Sequence, residues 1–375
     1  MNKNKHFKVL MYGNQNSCKT SVLTQMLSNK TLKTVSDINN VSLELENNQQ
    51  KDFISSSETV LSNFFVSDIP IPNSARGNAR TIFSQFTLSS YPTESENKFL
   101  LSLKDANKKR LLQQIEFSDI NGRTTLYQSS FASKSDKKEY QETVNKIKEA
   151  DVIVLTVDSV ELMEDGTLCF DPINTLLDSL LTSETQNPKT EKMILIVPTK
   201  FEKYYHKYSR DLSFNNNNYS TFTKFITRLR TALAPLLDWI GDPIRRSRYE
   251  ASILPVLTLG NIEFFARLNN SESGLVLDDC GRQYFCYYNK HGYNDQENFN
   301  AYTLPAYEPQ YNEFPLSMII AYMLDKILTS KCKRFSQFGA FNDKNLELLK
   351  DGLTKQLDVA LDYYPHVIIQ SKLFK

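Results

Sequence analysis

The sequence predicts a three-layer α/β fold in which a mostly parallel sheet is covered by helices on both faces. Two near-continuous apolar runs, Asp151–Asp158 and Met193–Val197, are typical of parallel strands that are buried on both sides. Helical apolar patterns lie between such runs, as strand–helix–strand units require. In a sheet of this kind, binding residues are expected at the carboxyl ends of the strands.

The composition limits the classes of function. The chain has 375 residues, of which 40% are hydrophobic, so it can bury a large core. Its net charge of +1 gives no electrostatic basis for binding nucleic acid or a membrane surface. No apolar run is long enough to cross a bilayer, and the polar N-terminus has no secretory signal pattern. Five scattered cysteines form no C-x-x-C pair, so we expect reduced thiols and a cytoplasmic protein.

The strongest functional signal is a strand–loop–helix pattern that begins at Phe7. Its loop reads G-x-x-x-x-C-K-T, which differs at one position from the phosphate-binding pattern G-x-x-x-x-G-K-[ST]. Backbone N–H groups of such a loop surround a phosphate, the lysine reaches the β- and γ-phosphates, and the threonine hydroxyl binds Mg²⁺. The predicted binding residues are Gly13, Asn14, Asn16, Ser17, Cys18, Lys19, Thr20 and Ser21, with Lys19 also a candidate catalytic residue and Thr20 a candidate metal ligand.

Cys18 stands where the pattern has glycine. That glycine lets the backbone approach phosphates without an intervening Cβ, so cysteine is expected to weaken nucleotide binding or to shift the loop. A thiol beside Lys19 and at a helix N-terminus is also expected to have a lowered pKa and to be reactive. The alternative interpretation is a tolerated small residue.

A polar segment of about fifty residues follows the first helix. It is far longer than the usual connection of about 4–6 residues, and we assign residues 28–80 to a long insert. In a nucleotide-dependent switch, the first switch segment lies here. Thr81 is the candidate that closes over Mg²⁺ and the γ-phosphate, with Ser74 as the alternative. Arg76 and Arg80 are candidates for contacts with phosphate charge, and a solvated insert is the competing interpretation.

A second nucleotide signature, D-x-x-G, follows the strand predicted at Arg110–Ser118. Asp119 is expected to hold Mg²⁺ through water, and the Gly122 N–H is expected to contact the γ-phosphate. The next residue, Arg123, is the second candidate catalytic position. Because arginine cannot accept a proton from water, we expect slow hydrolysis or a catalytic group from elsewhere. A solvent-facing Arg123 is the alternative.

The T-K-x-E sequence after the strand Met193–Val197 supplies a candidate base-reading site. The carboxylate of Glu202 can accept hydrogen bonds from guanine that adenine does not offer. Lys200 can pack over the base, and Thr199 can tie the loop to its neighbour. A surface Lys–Glu pair is the alternative. The loop with Thr258 and Leu259, after a strand predicted at Ile253–Leu257, is expected near the base.

The rest of the chain predicts further elements. An aromatic-rich segment, residues 261–310, suggests a β-hairpin insert, either a partner surface or a hairpin packed on the main domain. Pro315 begins a strongly periodic helix that should pack on the sheet. We assign residues 1–335 to one nucleotide-binding domain and 336–375 to a C-terminal helical extension. Other predicted elements are strands at Thr81–Tyr91 and Phe99–Leu103, a charged helix ending near Ala150, and helices at Pro172–Leu181 and, with a kink at Pro235, Phe222–Trp239.

The order of these motifs resembles the translation-factor-related (TRAFAC) class of P-loop GTPases over about Phe7–Ser330. The sequences V-L-T-L-G-N and Y-E-P-Q-Y-N-E-F-P-L and the aromatic insert also resemble bacterial double-GTPase-type domains of conflict or signalling systems. The resemblance implies a P-loop GTPase-like fold and a switch that binds Mg²⁺ and GTP or GDP. Its partner proteins would read the switch segments or residues 261–310. Two alternatives stay open: a pseudo-GTPase interaction module in which Cys18 abolishes useful nucleotide affinity, or an ATPase.

Overall fold

The structure is a computed structural model. It describes residues 6–14, 17–39, 41–55, 70–71, 96–105, 111–120, 134–159, 162–163, 171–199, 216–256, 263–267, 285–288, 299–300, 314–335, 347, 350–352 and 354–355.

A seven-stranded sheet lies at the centre of the described part of the chain. One strand, β4, runs antiparallel to both of its neighbours, and the remaining neighbours pair in parallel. This confirms the predicted α/β class with a mostly parallel sheet. In spatial order the strands are β2 (Val41–Leu45), β4 (Glu96–Asp105), β5 (Leu111–Ile120), β1 (Phe7–Gly13), β6 (Val152–Asp158), β7 (Lys192–Thr199) and β8 (Tyr249–Ile253).

The strand order places a crevice at the end of β1. After β1 the chain builds the β2–β4–β5 side of the sheet, and after β5 it crosses to build the β6–β7–β8 side. The strand order therefore reverses around β1, which is the topological switch point where open α/β sheets bind ligands. The carboxyl ends of β1, β5 and β6 meet at this point.

Side chains of the central strands alternate between two apolar layers, because successive strand residues point to opposite faces. Val9 and Met11 of β1 belong to one layer, and Leu10 and Tyr12 belong to the other. The first layer is covered by α1 (Lys19–Met26), α2 (Asn29–Asn39), α3 (residues 48–55) and α9 (Phe314–Phe335). The second layer is covered by α4 (Lys134–Glu149), α5 (Asp171–Gln186), α6 (Asn216–Ala232) and α7 (Ala234–Gly241). A short helix, α8 (Pro243–Arg246), leads into β8.

The last long helix, α9, packs on the sheet as its sequence predicts. Its periodic apolar side chains are buried in the same layer as Val9 and Met11 of β1. Leu316, Ile319 and Met323 are fully buried there. The prediction of a sheet-covering helix that begins at Pro315 is confirmed.

The first part of the predicted long insert is folded. Residues 29–55 form α2, the edge strand β2 and α3, where an irregular polar segment was expected. The polar sequence conceals a sparse apolar pattern: Leu32 and Val35 of α2 are buried three residues apart, and Leu43 and Leu45 of β2 are buried two apart. The part of the insert that remains lies largely outside the described residues.

Two predicted boundaries are also wrong. The strand expected at Ile253–Leu257 is β8, which runs from Tyr249 to Ile253, because the residues of Y-E-A-S-I rather than the apolar run form the ladder with β7. The helix expected at Phe222–Trp239 begins at Asn216 and is divided at Leu233, with Pro235 in the first turn of α7. Proline fits that position because its missing N–H has no helical partner to lose.

The aromatic segment contributes two described strands. β9 (Glu263–Arg267) and β10 (Phe285–Tyr288) pair in an antiparallel arrangement, as the hairpin prediction requires. A second small antiparallel pair joins β3 (Pro70–Ile71) to β11 (Phe299–Asn300). Described residues of the C-terminal extension are helical, whereas the strand predicted at Thr81–Tyr91 lies outside the described residues.

Candidate functional site

The predicted phosphate loop joins the central strand to a helix. β1 ends at Gly13, and α1 begins at Lys19 with Cys18 as its N-cap. The Cys18 carbonyl accepts the first helical hydrogen bond from the Val22 N–H at 2.9 Å. The first turn contains no acidic side chain, so nothing in that turn offsets the positive end of the helix dipole. This end of α1 therefore favours an anion.

Cys18 adopts a left-handed backbone conformation, with φ 58° and ψ 27°. Among the described residues it is the one non-glycine residue with a positive φ. Left-handed geometry brings Cβ close to the following carbonyl oxygen, at a cost of about 1–2 kcal/mol that glycine avoids. The glycine of the pattern thus has a conformational role here as well as the expected steric one. Cys18 keeps the backbone conformation that glycine would adopt, and its side chain is partly exposed.

Gly13 cannot be replaced without strain. Its φ is +144°, and a Cβ added there would lie 2.4 Å from the Thr156 hydroxyl oxygen and 2.6 Å from the Thr156 carbonyl oxygen. Such contacts are far below van der Waals separation. The loop therefore leaves β1 through a position that only glycine can occupy.

Lys19 lies buried at the start of α1, with 7% of its surface exposed. Its ammonium donates to the Asn14 carbonyl at 2.6 Å and to the Gly13 carbonyl at 3.2 Å. Burial lowers the pKa of Lys19 to about 8, against the opposing effects of Asp119 and Cys18. Carbonyl groups orient the ammonium but do not neutralise it, so the site holds a desolvated positive charge.

Thr20 and Asp119 meet beside this ammonium. The Thr20 hydroxyl donates to Oδ2 of Asp119 at 2.5 Å, joining the first turn of α1 to the end of β5. Asp119 is 5% exposed, and burial raises the pKa of its carboxyl, with Lys19 and Thr20 acting in the opposite direction. A hydroxyl and a carboxylate are oxygen ligands of the kind that Mg²⁺ prefers.

Three buried oxygen atoms at the switch point have no hydrogen-bond partner among the described residues. They are Oδ1 of Asn14, Oδ1 of Asp119 and Oγ of Ser159, which follow or end β1, β5 and β6 respectively. A buried polar atom without a partner destabilises a protein by about 1–3 kcal/mol. All three atoms lie at the carboxyl ends of adjacent central strands. A polar ligand or a cation bound there would stabilise the protein by giving them a partner.

Thr199, at the end of β7, is fully buried, and its hydroxyl donates to the Val157 carbonyl of β6 at 3.2 Å. It therefore ties the neighbouring ends of β6 and β7 together. Lys200 and Glu202, the candidate base-reading residues that follow it, lie outside the described residues.

The structure brings together the described residues of the phosphate loop with Thr20 and Asp119, as their motifs predict. The sequence places Ser159 on the binding side, at the end of the strand Asp151–Asp158, but it contains no spacing signal for Thr156. The proximity of Thr156 to the loop depends on the pairing of β6 with β1. For Ser21 the structure describes the backbone within α1. The predicted site residues outside the described residues are Asn16, Thr81, Gly122, Arg123, Lys200, Glu202, Thr258 and Leu259.

No protein-family model matches this sequence, and none of the curated proteins matches it either. Within the described ranges, no helix has the length and apolar character needed to cross a membrane. The same ranges contain no group of three or more His, Cys, Asp or Glu side chains arranged to hold a metal ion. The geometry at the end of β1 is therefore the feature of this protein that bears on its function.

Proposed function

We propose that this protein is a Mg²⁺-dependent guanine-nucleotide-binding switch with a P-loop GTPase-like fold. The observation that carries the proposal is the cluster of Lys19, Thr20 and Asp119 at the positive end of α1. In this cluster the buried Lys19 ammonium lies near the buried Asp119 carboxylate, one of whose oxygens has no hydrogen-bond partner among the described residues. Both groups are desolvated, and a nucleotide with its metal would add phosphate oxygens for Lys19 and a cation for the unpartnered oxygen of Asp119.

A polyphosphate fits the positive half of this cluster. The Lys19 ammonium has three N–H donors, and the two carbonyls that hold it carry no net charge. Asp119 favours the charged form of Lys19, yet burial still lowers the pKa of Lys19 to about 8. Phosphate oxygens would stabilise the ammonium further and would also accept from backbone N–H groups in the first turn of α1. The absence of acidic side chains from that turn supports an anionic ligand.

Mg²⁺ fits the negative half. Thr20 and Asp119 would hold it, and Thr81 is the proposed third contributor from the sequence. The unpartnered Oδ1 of Asp119 is the observation that supports a cation here. When bound, Mg²⁺ would neutralise phosphate charge. Three protein oxygens are consistent with the usual preference of Mg²⁺ for few protein ligands and several phosphate or water oxygens.

The sequence supports three further proposals, which concern the choice of guanine, the rate of hydrolysis and the signal that partner proteins read. Guanine selection is assigned to Lys200 and Glu202, with Thr199 supporting their segment through its bond to β6. Slow hydrolysis is assigned to Arg123, which cannot accept a proton from water. The proposed output is a change in the switch segments that cytoplasmic partner proteins read.

A second candidate function is a pseudo-GTPase interaction module that binds nucleotide weakly or not at all. Cysteine at position 18 favours it, because the glycine of the pattern lets the backbone approach phosphates without an intervening Cβ. In that case the surfaces of the protein, rather than nucleotide turnover, would carry its function.

Calorimetric titration of the reduced protein with GTP, GDP and ATP in the presence of Mg²⁺ tests these proposals. Cys18→Gly and Lys19→Ala are titrated in parallel. GTP binding by the native protein that Lys19→Ala abolishes would support the switch, and phosphate release would then be measured. Binding only after Cys18→Gly would support the interaction module. Preference for ATP would reject guanine selection, and absence of binding in every variant would reject the nucleotide site.

A further inference from the structure

We infer that Thr156 of β6 is a positioning residue, which sets the conformation of the phosphate loop through Ser17 and Gly13 and thereby controls polyphosphate affinity. The inference rests on the proposed function, because it assigns the residue that fixes the same site. Thr156 has no place in the loop sequence and would not itself touch the ligand.

Thr156 is buried directly opposite Gly13 in the parallel pairing of β1 with β6. Its hydroxyl oxygen lies 2.7 Å from the Ser17 hydroxyl oxygen and 3.1 Å from the Tyr12 carbonyl oxygen. One side chain on a neighbouring strand therefore contacts the last turn of the loop and the strand that enters it.

Counting protons assigns directions to these bonds. The Ser17 hydroxyl lies within bonding distance of both Thr156 and the Asn14 carbonyl, yet it carries one proton. The Ser17 hydroxyl must donate to the Asn14 carbonyl oxygen at 2.7 Å, because a carbonyl oxygen can only accept. The Ser17 oxygen therefore accepts from the Thr156 hydroxyl, whose proton lies toward this 2.7 Å contact rather than toward the Tyr12 carbonyl at 3.1 Å. The chain of hydrogen bonds runs from Thr156 to Ser17 to the Asn14 carbonyl, which also accepts from Lys19 at 2.6 Å.

Shape reinforces this chain of hydrogen bonds. The Thr156 side chain fills the space that a Cβ at Gly13 would need, and the Ser17 hydroxyl lies 3.0 Å from the same point. The three residues therefore interlock at the start and end of the loop. Rotating the Thr156 or the Ser17 side chain requires the other to move, because protein interiors are close-packed.

The contacts among Gly13, Ser17 and Thr156 affect ligand affinity through Lys19. The carbonyls that orient the Lys19 ammonium belong to Gly13 and Asn14, and the Ser17 hydroxyl contacts the second of these. Removing the Thr156 hydroxyl takes away the donor that fixes the Ser17 hydroxyl, so the Asn14 carbonyl is held less firmly against the Lys19 ammonium. The expected consequence is a displaced ammonium and a weaker grip on phosphate.

Thr156→Val tests the inference because it keeps the side-chain shape and removes the hydroxyl. Affinity for the Mg²⁺ complex of GTP is measured by calorimetry, with folding checked by thermal melting. Thr156→Val should reduce affinity about tenfold, and Thr156→Ser, which restores the hydroxyl, should recover most of the loss. The matched control is Thr24→Val in α1, whose buried hydroxyl has no partner among the described residues. This control should bind like the native protein.

A double-mutant cycle separates positioning from general destabilisation. Ser17→Ala should also weaken binding, and the double variant Ser17→Ala with Thr156→Val should lose no more than the larger single loss, because both changes break one chain. Additive losses, or normal affinity in Thr156→Val, would overturn the inference while leaving the nucleotide site intact. If Thr156→Val does not fold, normal affinity in Ser17→Ala would overturn it. Absence of binding in both the native protein and Cys18→Gly would reject the proposed function and this inference together.

Discussion

Replacing Cys18 with glycine should stabilise the protein, although it removes a side chain. The backbone at Cys18 has φ 58°, a conformation that costs a residue with a Cβ about 1–2 kcal/mol. Glycine is free of that strain but loses about 0.4–1 kcal/mol more conformational entropy on folding. The difference gives an expected gain of about 0.5–1 kcal/mol in the free energy of unfolding.

Denaturant titration of the native protein, Cys18→Gly and Cys18→Ala measures this gain. Alanine removes the thiol but keeps the Cβ, so Cys18→Ala retains the left-handed strain and should show no gain. The midpoint should rise for glycine alone, with an unchanged dependence on denaturant concentration. An equal gain for alanine would assign the effect to the thiol, and a loss for glycine would refute the strain argument altogether.

Further predictions concern the metal, the ammonium and the core. Asp119→Asn and Thr20→Val should each abolish the Mg²⁺ dependence of GTP affinity measured with and without chelator, whereas Thr20→Ser should retain it. In the protein without ligand the pKa of Lys19 is lowered to about 8. A bound phosphate should raise this pKa, so that binding at higher pH is accompanied by uptake of a proton. GTP affinity should therefore be constant at lower pH and fall as pH rises through about 8, and Lys19→Arg, which does not titrate there, should lack this fall. Ile319→Ala, in the fully buried face of α9, should lower the free energy of unfolding by about 2–5 kcal/mol in denaturant titration. Ile244→Ala, at a position that is 71% exposed, should change it by less than about 0.5 kcal/mol.

The elements that the sequence predicts well are those whose signal is local and strong. β6 and β7 are apolar runs buried on both faces, and α9 has a nearly complete helical period, so each is recognisable without its neighbours. The contact between Thr20 and Asp119 was also predictable, because Thr20 ends the phosphate-loop motif, Asp119 begins D-x-x-G, and each motif follows a predicted strand. Local pattern therefore accounts for the centre of the sheet and for the core of the candidate site.

The missed features depend on pairing or on backbone conformation. β2 is a five-residue edge strand with alternating polar residues, and its burial depends on β4 and α2 lying beside it. Thr156 lies far from the loop in sequence, and only the register of β6 against β1 brings them together. The left-handed conformation of Cys18 had one available signal, since a motif position that requires glycine often does so because φ is positive.

The position of β1 in the sheet has a consequence for how a ligand would be received. β1 forms ladders with β5 along Phe7–Met11 and with β6 along Val9–Gly13, so both of its edges are occupied. The start of the loop is therefore attached to preorganised backbone, and little ordering entropy remains to be lost there on association. A ligand that reaches the carboxyl end of β1 can bind without waiting for β1 to fold, and this favours rapid association from dilute solution.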